Sequence, residues 1–162
     1  MAEIYTIYYP SPVGVMEIKG TESAIASILF VDQAGEASET MPPVMQTCVQ
    51  QFAEYFAGTR QTFSVPVQQT GTDFQQRVWR ALTEISFGQT FSYMDIAITI
   101  GDAKSIRAVG NANGKNKVNI IVPCHRVIGS NGKLVGYGGG LWRKQWLLEH
   151  EAKYARGVLT LF

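Results

Sequence analysis

The chain has 162 residues, of which 46% are hydrophobic and 17% charged, and its formal net charge is +1 at pH 7. This length fits one or two small domains, and the composition excludes a largely disordered chain because enough apolar surface is available for a core. The near-zero net charge gives no global signal for nucleic acid, so any DNA contact must come from a local patch or from backbone amides.

The sequence shows neither a secretory leader nor a membrane segment. Its first residues lack a basic stretch followed by an apolar one, and no apolar run approaches the roughly 20 residues of a transmembrane helix. We therefore expect a cytoplasmic protein without membrane association. Its two cysteines, Cys48 and Cys124, are expected to be free thiols, because a reducing cytoplasm disfavours disulfides.

The beginning of the chain predicts a small antiparallel sheet. Apolar segments with strand character cover residues 4–9, 13–19 and 24–31. They are separated by Pro10-Ser11-Pro12 and by Gly20, which are typical of turns.

A helix and a linker are predicted next. Apolar side chains at helical spacing indicate a helix over 44–56, with Cys48 as a structural residue on its buried face. Residues 61–71 are interpreted as a short strand followed by a linker. We therefore place an N-terminal α/β domain at 1–70 and a second domain at 71–162.

The second domain is predicted to begin with three helices. The first covers 74–84, and the second begins at Ser92, where Ser92 and Asp95 have the spacing of a capping box. After a glycine turn, the third helix covers 104–113. Two short helices joined by such a turn are typical of a helix-turn-helix, although many helical cores share the pattern.

The third helix is expected to present small residues on its outer side, with Arg107 as the only long charged side chain from Ser105 through Gly114. Tight helix packing and close approach to a DNA groove, with Arg107 inserted, both account for this pattern. The small residues are Ser105, Ala108, Gly110, Ala112 and Gly114.

A candidate nucleophile follows an apolar segment that predicts a strand over 118–122. Pro123 ends this strand and places Cys124 at its tip, followed by His125 and Arg126. A histidine or a cation lowers the pKa of a nearby thiol. Adjacent side chains of an extended segment point in opposite directions, so a turn or a bridging water must join the cysteine to the histidine.

Two other interpretations of the cysteine fit the sequence less well. A zinc site would also require Cys48 and His150, and the spacing of these residues matches no zinc pattern. A papain-like cysteine hydrolase carries a local signature around its nucleophile that is absent around Cys124. No metal and no cofactor are therefore expected.

A carboxylate can complete the constellation. The helix predicted over 141–151 places Glu151 on the same face as two leucines, where a carboxylate needs a partner. Pairing with His125 would give a chain from nucleophile to base to orienting group. The alternative is a partly exposed Glu151 that pairs with Lys144 or Lys153.

The complete motif set resembles the O6-alkylguanine-DNA alkyltransferase family, densely over residues 71–151 and loosely before them. The residues that carry this resemblance are Phe74-Gln75-x-x-Val78-Trp79, Ser92-Tyr93, Arg107-Ala108-Val109-Gly110, Pro123-Cys124-His125-Arg126-Val127, Tyr137-x-Gly139-Gly140 and Lys144-x-x-Leu147-Leu148-x-x-Glu151.

The resemblance implies both fold and activity. The N-terminal α/β domain should be ribonuclease H-like, with a small antiparallel sheet and a helix, and a mostly α C-terminal domain should hold a winged helix-turn-helix. Such a protein repairs DNA by direct reversal, as a methylated-DNA–protein-cysteine S-methyltransferase. It moves a methyl or larger alkyl group irreversibly from O6 of guanine, with O4 of thymine as a further candidate, to its own cysteine in a single turnover.

The resemblance also implies the partner. The recognition helix binds the minor groove of double-stranded alkylated DNA, and the damaged nucleotide is flipped into a pocket beside the cysteine. We expect a monomer, with cooperative binding along DNA as an open alternative.

Roles of individual residues are likewise implied by matched positions. Cys124 is the alkyl acceptor, His125 a water-mediated base and Glu151 its orienter. Asn116 braces the active-site turn, and Tyr93 donates a proton at guanine N3. The expected DNA-binding and substrate-binding residues are Arg107, Ser92, Ala108, Gly110, Arg126, Val127, Tyr137, Gly138 and Lys144.

Three features distinguish this sequence within the resemblance. Gly138 stands where some members have a serine, so only its backbone can contact the guanine. Cys48 is the single cysteine before Cys124, and no histidine precedes His125, so the structural zinc of some members is not expected. Non-enzymatic relatives carry tryptophan in place of the cysteine. A module that recognises damage without repairing it and a cysteine hydrolase remain the competing functions.

Overall fold

The computed structural model describes residues 2–156 of the chain. The chain separates into two compact units, Met1–Thr70 and Gly71–Phe162. Among the described residues, no helix is both long and apolar enough to cross a bilayer.

The first unit contains a three-stranded antiparallel sheet in the order β1 (Tyr5–Ser11), β2 (Gly14–Gly20) and β3 (Ile25–Val31). The hairpin between β1 and β2 closes at Gly14, whose φ of 104° is accessible to glycine at little cost. The antiparallel sheet expected from the apolar segments is confirmed.

Helix α1 (Pro43–Ala57) completes the first unit. It ends at Gly58, which adopts the left-handed conformation typical of helix C-termini. Cys48 is fully buried in this helix, and burial raises the pKa of its thiol to about 12. The short strand expected within 61–71 is reduced to a single parallel bridge between Val67 and Ile25.

The second unit begins with helices α2 (Asp73–Leu82), α3 (Tyr93–Thr99) and α4 (Ile106–Gly114). The predicted capping box of α3 is confirmed, because the backbone N–H of Ser92 donates to the Asp95 carboxylate and the backbone N–H of Asp95 donates to the Ser92 hydroxyl. Helices α3 and α4 form the predicted helix-turn-helix.

Two short strands and a long helix complete this unit. Strand β4 (Phe91–Ser92) pairs in parallel with β5 (Val127–Ile128), directly after a 3₁₀ turn at Cys124–Arg126. Helix α5 (Leu141–Arg156) follows. The fold class expected from sequence, a small α/β unit followed by a mostly helical one, is confirmed.

The strand predicted over 118–122 is wrong. This segment folds into a tight turn in which the Val122 N–H donates to the Val118 carbonyl, and Ile120 has a φ of 71°. The Asn116 side chain accepts from the Val118 N–H and donates to the Val122 carbonyl. The amide of one asparagine thus replaces a neighbouring strand as the hydrogen-bond partner of the backbone, while the apolar side chains are still buried.

The face of α4 also differs from the expected one. Arg107 and Ala108 are exposed, but Ala112 is only 2% exposed, and its carbonyl accepts a hydrogen bond from Nε1 of Trp79 at 2.9 Å. The small residues of α4 therefore serve two purposes, because Ala112 allows close packing on α2 while Ala108 leaves the outer surface smooth.

Candidate active site

The thiol of Cys124 lies at the beginning of the 3₁₀ turn, immediately after the Asn116-braced segment. Cys124 is 4% exposed, and its Sγ lies 3.9 Å from Oδ1 of Asn119. The Cys124 backbone N–H donates to the Val122 carbonyl at 2.8 Å. Successive turns rather than a strand tip therefore position the sulfur.

Glu151 forms the centre of a buried polar cluster. It is 0% exposed, its Oε2 lies 2.7 Å from Nε2 of His125, and its Oε1 accepts from Nε of Arg126 at 2.7 Å. Nη2 of Arg126 also donates to Oε2 at 3.0 Å, which makes the ion pair bidentate. A pairing of Glu151 with Lys144 or Lys153 is thereby excluded as its main interaction.

Charge in this cluster is set by opposing effects. Burial raises the pKa of the Glu151 carboxyl, but His125 and Arg126 outweigh it and hold this pKa well below its usual range. Burial lowers the pKa of His125, and the neighbouring cations of Arg126 and Lys144 add to this, against the pull of Glu151. The cluster therefore consists of a carboxylate, a guanidinium and a neutral imidazole.

A neutral imidazole has one N–H, and the carboxylate fixes where it lies. Because an ionised carboxylate can only accept, Nε2 of His125 carries the proton and donates to Glu151. Nδ1 is then a lone-pair acceptor, and it is buried without a hydrogen-bond partner among residues 2–156. A neutral histidine with a free acceptor nitrogen, adjacent to a cysteine, is suited to accept a proton.

The structure gives the Arg126 guanidinium different partners from the DNA or substrate contact expected from sequence. Arg126 is 6% exposed, and its Nη1 donates to the carbonyl of Ile85 at 2.7 Å. Its guanidinium carbon also lies 5.9 Å from the centre of the Phe87 ring. The side chain thus connects the carboxylate of α5 to the segment that follows α2.

Three asparagines surround the reacting turn. Asn116 braces it as described above, which is the position expected from sequence. Asn113, on α4, donates from Nδ2 to the Cys124 carbonyl at 3.5 Å, and its Oδ1 is buried with no hydrogen-bond partner in the described part of the chain. Oδ1 of Asn119 accepts from the Tyr137 hydroxyl at 3.0 Å as well as facing Sγ of Cys124.

A loop crosses the site between β5 and α5. Lys144 is 0% exposed, and its Nζ donates to the carbonyls of Val135 at 2.8 Å and Gly136 at 3.3 Å. The Tyr93 hydroxyl donates to the same Val135 carbonyl at 3.3 Å. Together with the Tyr137 contact, these bonds attach the loop to α3, to α5 and to the turn before the cysteine.

The thiol is held largely protonated in this environment. Burial raises the pKa of Cys124, while the Asn116 side chain and the charge of Lys144 act in the opposite direction. Burial also lowers the pKa of Lys144 to about 8 and raises the pKa values of Tyr93 and Tyr137. At neutral pH the resting site therefore contains a thiol, two phenols and an ammonium group.

The remaining residues expected to bind DNA or substrate lie on several surfaces. Arg107 and Ala108 are exposed on α4, and Gly110 faces α3, because a Cβ added there would lie 4.0 Å from the Tyr93 ring. The hydroxyl of Ser92 accepts the capping bond of α3. Gly138 is exposed in the loop.

Val127 and Gly138 are both expected to act through the backbone. Val127 is buried as the first residue of β5 and pairs with Phe91. A Cβ added to Gly138 would meet nothing within 4 Å, so the absence of a side chain there is not required by packing. Within residues 2–156, no group of three or more histidine, cysteine or acidic side chains could hold a metal ion.

Sequence reasoning missed Asn113 and Asn119. With Asn116 they recur at intervals of three residues just before the cysteine, and this regular repetition of one polar residue type is the signal that could have identified them. The role of Ile85 had no such signal, because it contributes only a backbone carbonyl.

The arrangement is that of an activated nucleophile. The thiol of Cys124 can serve as a nucleophile and neutral His125 as an adjacent base, because the carboxylate of Glu151 fixes the tautomer of that histidine. The exposed α4 and the loop held by Lys144 are the parts of the unit that can receive a large substrate next to the thiol.

Two family comparisons cover almost all of the chain. Residues 73–153 match the family described as 6-O-methylguanine DNA methyltransferase, DNA binding domain. Residues 4–69 match the family described as 6-O-methylguanine DNA methyltransferase, ribonuclease-like domain.

Individual relatives agree with these families. The methylated-DNA–protein-cysteine methyltransferase of Mycobacterium tuberculosis strain H37Rv is 48% identical over 156 residues, which cover 94% of each chain. The protein of the same name from Haemophilus influenzae is 40% identical over 157 residues, covering 93% of this chain and 88% of that one.

Solved structures are similar as well. The crystal structure of Mycobacterium tuberculosis O6-methylguanine methyltransferase superimposes with a TM-score of 0.84 at 45% identity, covering 94% of both chains. A crystal structure of the Mycobacterium tuberculosis protein in complex with DNA has a TM-score of 0.82 at 45% identity and covers 93% of both chains.

Proposed function

This chain belongs to the 6-O-methylguanine DNA methyltransferase family, and we propose that Cys124 is the residue to which it transfers the alkyl group. The protein repairs DNA by direct reversal, as a methylated-DNA–protein-cysteine methyltransferase that removes the alkyl group from O6 of guanine. DNA is its partner. The fully buried contact between His125 and Glu151, beside the thiol, is the observation that carries the assignment.

The transfer is a displacement at carbon. Sγ of Cys124 attacks the alkyl carbon, the bond from that carbon to O6 breaks, and a thioether forms. The thiol proton passes to the free Nδ1 of His125 through one water molecule. Guanine gains one proton as a leaving group, for which the Tyr93 hydroxyl at N3 is the donor. The proton that His125 received then returns through solvent to the Tyr93 phenolate, so the proton count balances.

The product accounts for a single turnover. A thioether lacks the good leaving group of an acyl-thioester, so water cannot release the alkyl group and regenerate Cys124. One protein molecule therefore repairs one base. Glu151 and Arg126 contribute to the transfer indirectly, because both act through the orientation and protonation of His125.

Access to the base requires that it leave the duplex. O6 of guanine lies in the base stack, so the nucleotide is flipped into the space beside Cys124. We assign entry through the minor groove to α4, with the exposed Arg107 filling the gap and the small Ala108 and Gly110 allowing close approach. Ser92, at the start of α3, contacts the DNA backbone.

The flipped base is held by the loop and by the reacting turn. Tyr137 and Lys144 shape the pocket and position the loop, as their contacts with Asn119, Val135 and Gly136 support. Backbone groups of Cys124, Val127 and Gly138 bond the edge of guanine, and Asn116 keeps the turn in place. Gly138 has no side-chain hydroxyl to place near the guanine oxygen. We expect this to affect the range of substrates that the protein accepts and not its ability to transfer an alkyl group.

The two units have different roles. Residues 71–162 bind DNA and carry the transfer, and residues 1–70 form the accompanying ribonuclease-like domain. We further propose a monomer that acts on double-stranded alkylated DNA, with cooperative binding as the alternative. Its place of action is the cytoplasm, where the free thiols of Cys48 and Cys124 are maintained.

Mass spectrometry of the protein after mixing with O6-methylguanine DNA tests the acceptor assignment. The wild type should gain one methyl group, located on the peptide that contains Cys124, and the product should plateau at about one methyl per protein. Cys124→Ser should bind the DNA and gain none, because a hydroxyl ionises far less than a thiol. Cys48→Ser, a matched change at a buried position of α1, should react like the wild type.

Each other outcome would indicate a different function or mechanism for this protein. Binding without methyl addition would indicate a damage-recognition module, and neither binding nor addition would point to a cysteine hydrolase unrelated to DNA. Methyl addition to the Cys124→Ser variant at the wild-type rate would reject Cys124 as the acceptor. Sustained turnover would reject the thioether mechanism.

A further inference from the structure

The sulfur of Cys124 faces an acceptor. Oδ1 of Asn119 lies 3.9 Å from Sγ, and this oxygen belongs to a side chain that is 9% exposed. An amide oxygen accepts hydrogen bonds and repels negative charge, so it stabilises the thiol and disfavours the thiolate. Asn119 therefore opposes the ionisation that the His125–Glu151 pair promotes.

The position of this oxygen is fixed from a second direction. The Tyr137 hydroxyl donates to the same Oδ1 at 3.0 Å. Asn119 itself lies in the turn before Pro123, where the Val122 N–H donates to the Val118 carbonyl. A side chain held by both a turn and the half-buried phenol of Tyr137 keeps its oxygen facing the sulfur.

Several other groups also influence the ionisation of the Cys124 thiol. The Asn116 side chain and the ammonium group of Lys144 favour the thiolate. Tyr93 on α3 and Tyr137 in the loop are coupled to the thiol, because a negative charge on Cys124 raises the pKa of both phenols. The next residue, His125, is neutral, and its partners Glu151 and Arg126 largely balance each other.

We propose that Asn119 is a positioning residue that holds Cys124 as a protonated thiol until an alkylated base arrives. The proposal rests on the proposed function, since it concerns the same nucleophile. A thiolate is the reactive form of cysteine towards all electrophiles. A protein that can react only once loses its function at any accidental alkylation, and an acceptor beside the sulfur limits this loss.

The rate of Cys124 modification by iodoacetamide, measured across neutral to alkaline pH by peptide mass spectrometry, tests the proposal. Asn119→Leu removes the acceptor and keeps the volume of the side chain. Its thiol should titrate at lower pH and react about three- to tenfold faster at neutral pH, which is the factor of one neutral hydrogen bond. Asn119→Asp should titrate at higher pH and react at least about tenfold more slowly, because a carboxylate repels the thiolate.

The midpoint of the pH profile separates ionisation from access. A variant that merely opens the site raises the plateau rate and leaves the midpoint unchanged. Asn131→Asp is the matched control, because it adds the same charge in an exposed turn and keeps the oxygen that accepts from the Lys133 N–H. Its midpoint should equal that of the wild type.

Two results would overturn the proposal. Unchanged midpoints in both Asn119 variants would reduce Asn119 to a packing residue. A higher midpoint in Asn119→Leu would mean that its amide donates to the sulfur. The iodoacetamide reaction needs no DNA, so it judges Asn119 even if methyl transfer from DNA fails, and transfer by the wild type judges the proposed function separately.

Discussion

Replacement of Arg126 by methionine tests the buried cluster most directly. The guanidinium donates to both oxygens of Glu151 at 2.7 and 3.0 Å and to the carbonyl of Ile85 at 2.7 Å. Methionine keeps an unbranched side chain but cannot donate. The variant therefore leaves a buried carboxylate without its cation and a buried carbonyl without this donor.

The expected loss is large because the pair is desolvated. Removal of one partner of a buried ion pair costs roughly 3–5 kcal/mol in the free energy of unfolding. The double variant Arg126→Met with Glu151→Gln should recover part of this loss, since a neutral amide does not need a cation. Urea unfolding of the two single variants and the double variant gives the coupling between the residues.

The pH dependence has a definite sign. Burial raises the pKa of Glu151, but His125 and Arg126 lower it further, so the folded value lies well below the unfolded one. The stability that this carboxylate contributes is present above the unfolded pKa and is lost as the pH falls towards the folded one. The gap between wild type and Arg126→Met should therefore narrow in acid, where protonation of Glu151 relieves the unpaired charge in the variant.

Arg60 provides a matched control. Its Nε lies 2.7 Å from Oε1 of Glu54, the same distance as in the buried pair, but the two side chains are 30% and 35% exposed. Arg60→Met should cost less than about 1 kcal/mol. A loss of that small size in Arg126→Met, or a double variant no more stable than the single ones, would refute the reasoning from burial.

The other predictions concern transfer and loop attachment. Glu151→Gln and His125→Phe should each slow methyl transfer by about 10²-fold and shift the thiol titration to higher pH, whereas wild-type titration in both would rule out the activation chain. Arg107→Ala should greatly slow repair of duplex DNA and leave the reaction with free O6-benzylguanine nearly unchanged, with partial recovery in Arg107→Lys, which lacks the planar group. Equal losses on both substrates would show instead that Arg107 supports the fold. Lys144 has a folded pKa of about 8, below its usual 10.5, so the wild type should gain stability relative to Lys144→Met as the pH rises between these values. A difference that stays constant or falls over that range in chemical denaturation would contradict the burial of the ammonium group.

Several features of the fold could be predicted from the sequence because each depends on residues that are close together in the chain. The capping box of Ser92 and Asp95 depends on residues three apart, and the turn after α1 depends on Gly58 alone. Strand alternation gave the sheet of the first unit for the same reason. The helix-turn-helix followed from helices whose ends are marked by such signals.

The apolar segment before Cys124 shows where local reasoning failed. Its composition is that of a buried strand, and most of its side chains are indeed buried, but the described residues offer no partner strand to its backbone. The Asn116 side chain takes that place. Ala112 was expected on the outer side of α4 but is buried, because its carbonyl accepts a hydrogen bond from Trp79 of α2. This contact cannot be predicted from local sequence.

The sequence by itself determined the two-part fold class, and its resemblance to the O6-alkylguanine-DNA alkyltransferase family led to the proposal that Cys124 accepts the alkyl group. It also indicated that Glu151 needs a buried partner, because burial of an unpaired carboxylate is too costly. Only the tertiary structure decided that Arg126 shares this carboxylate with His125, and that Asn119 and Tyr137 meet at the sulfur. Asn119 and Cys124 are only five residues apart, but Tyr137 and Glu151 come from later parts of the chain. The geometry of all these contacts depends on how turns and helices pack, which no local pattern encodes.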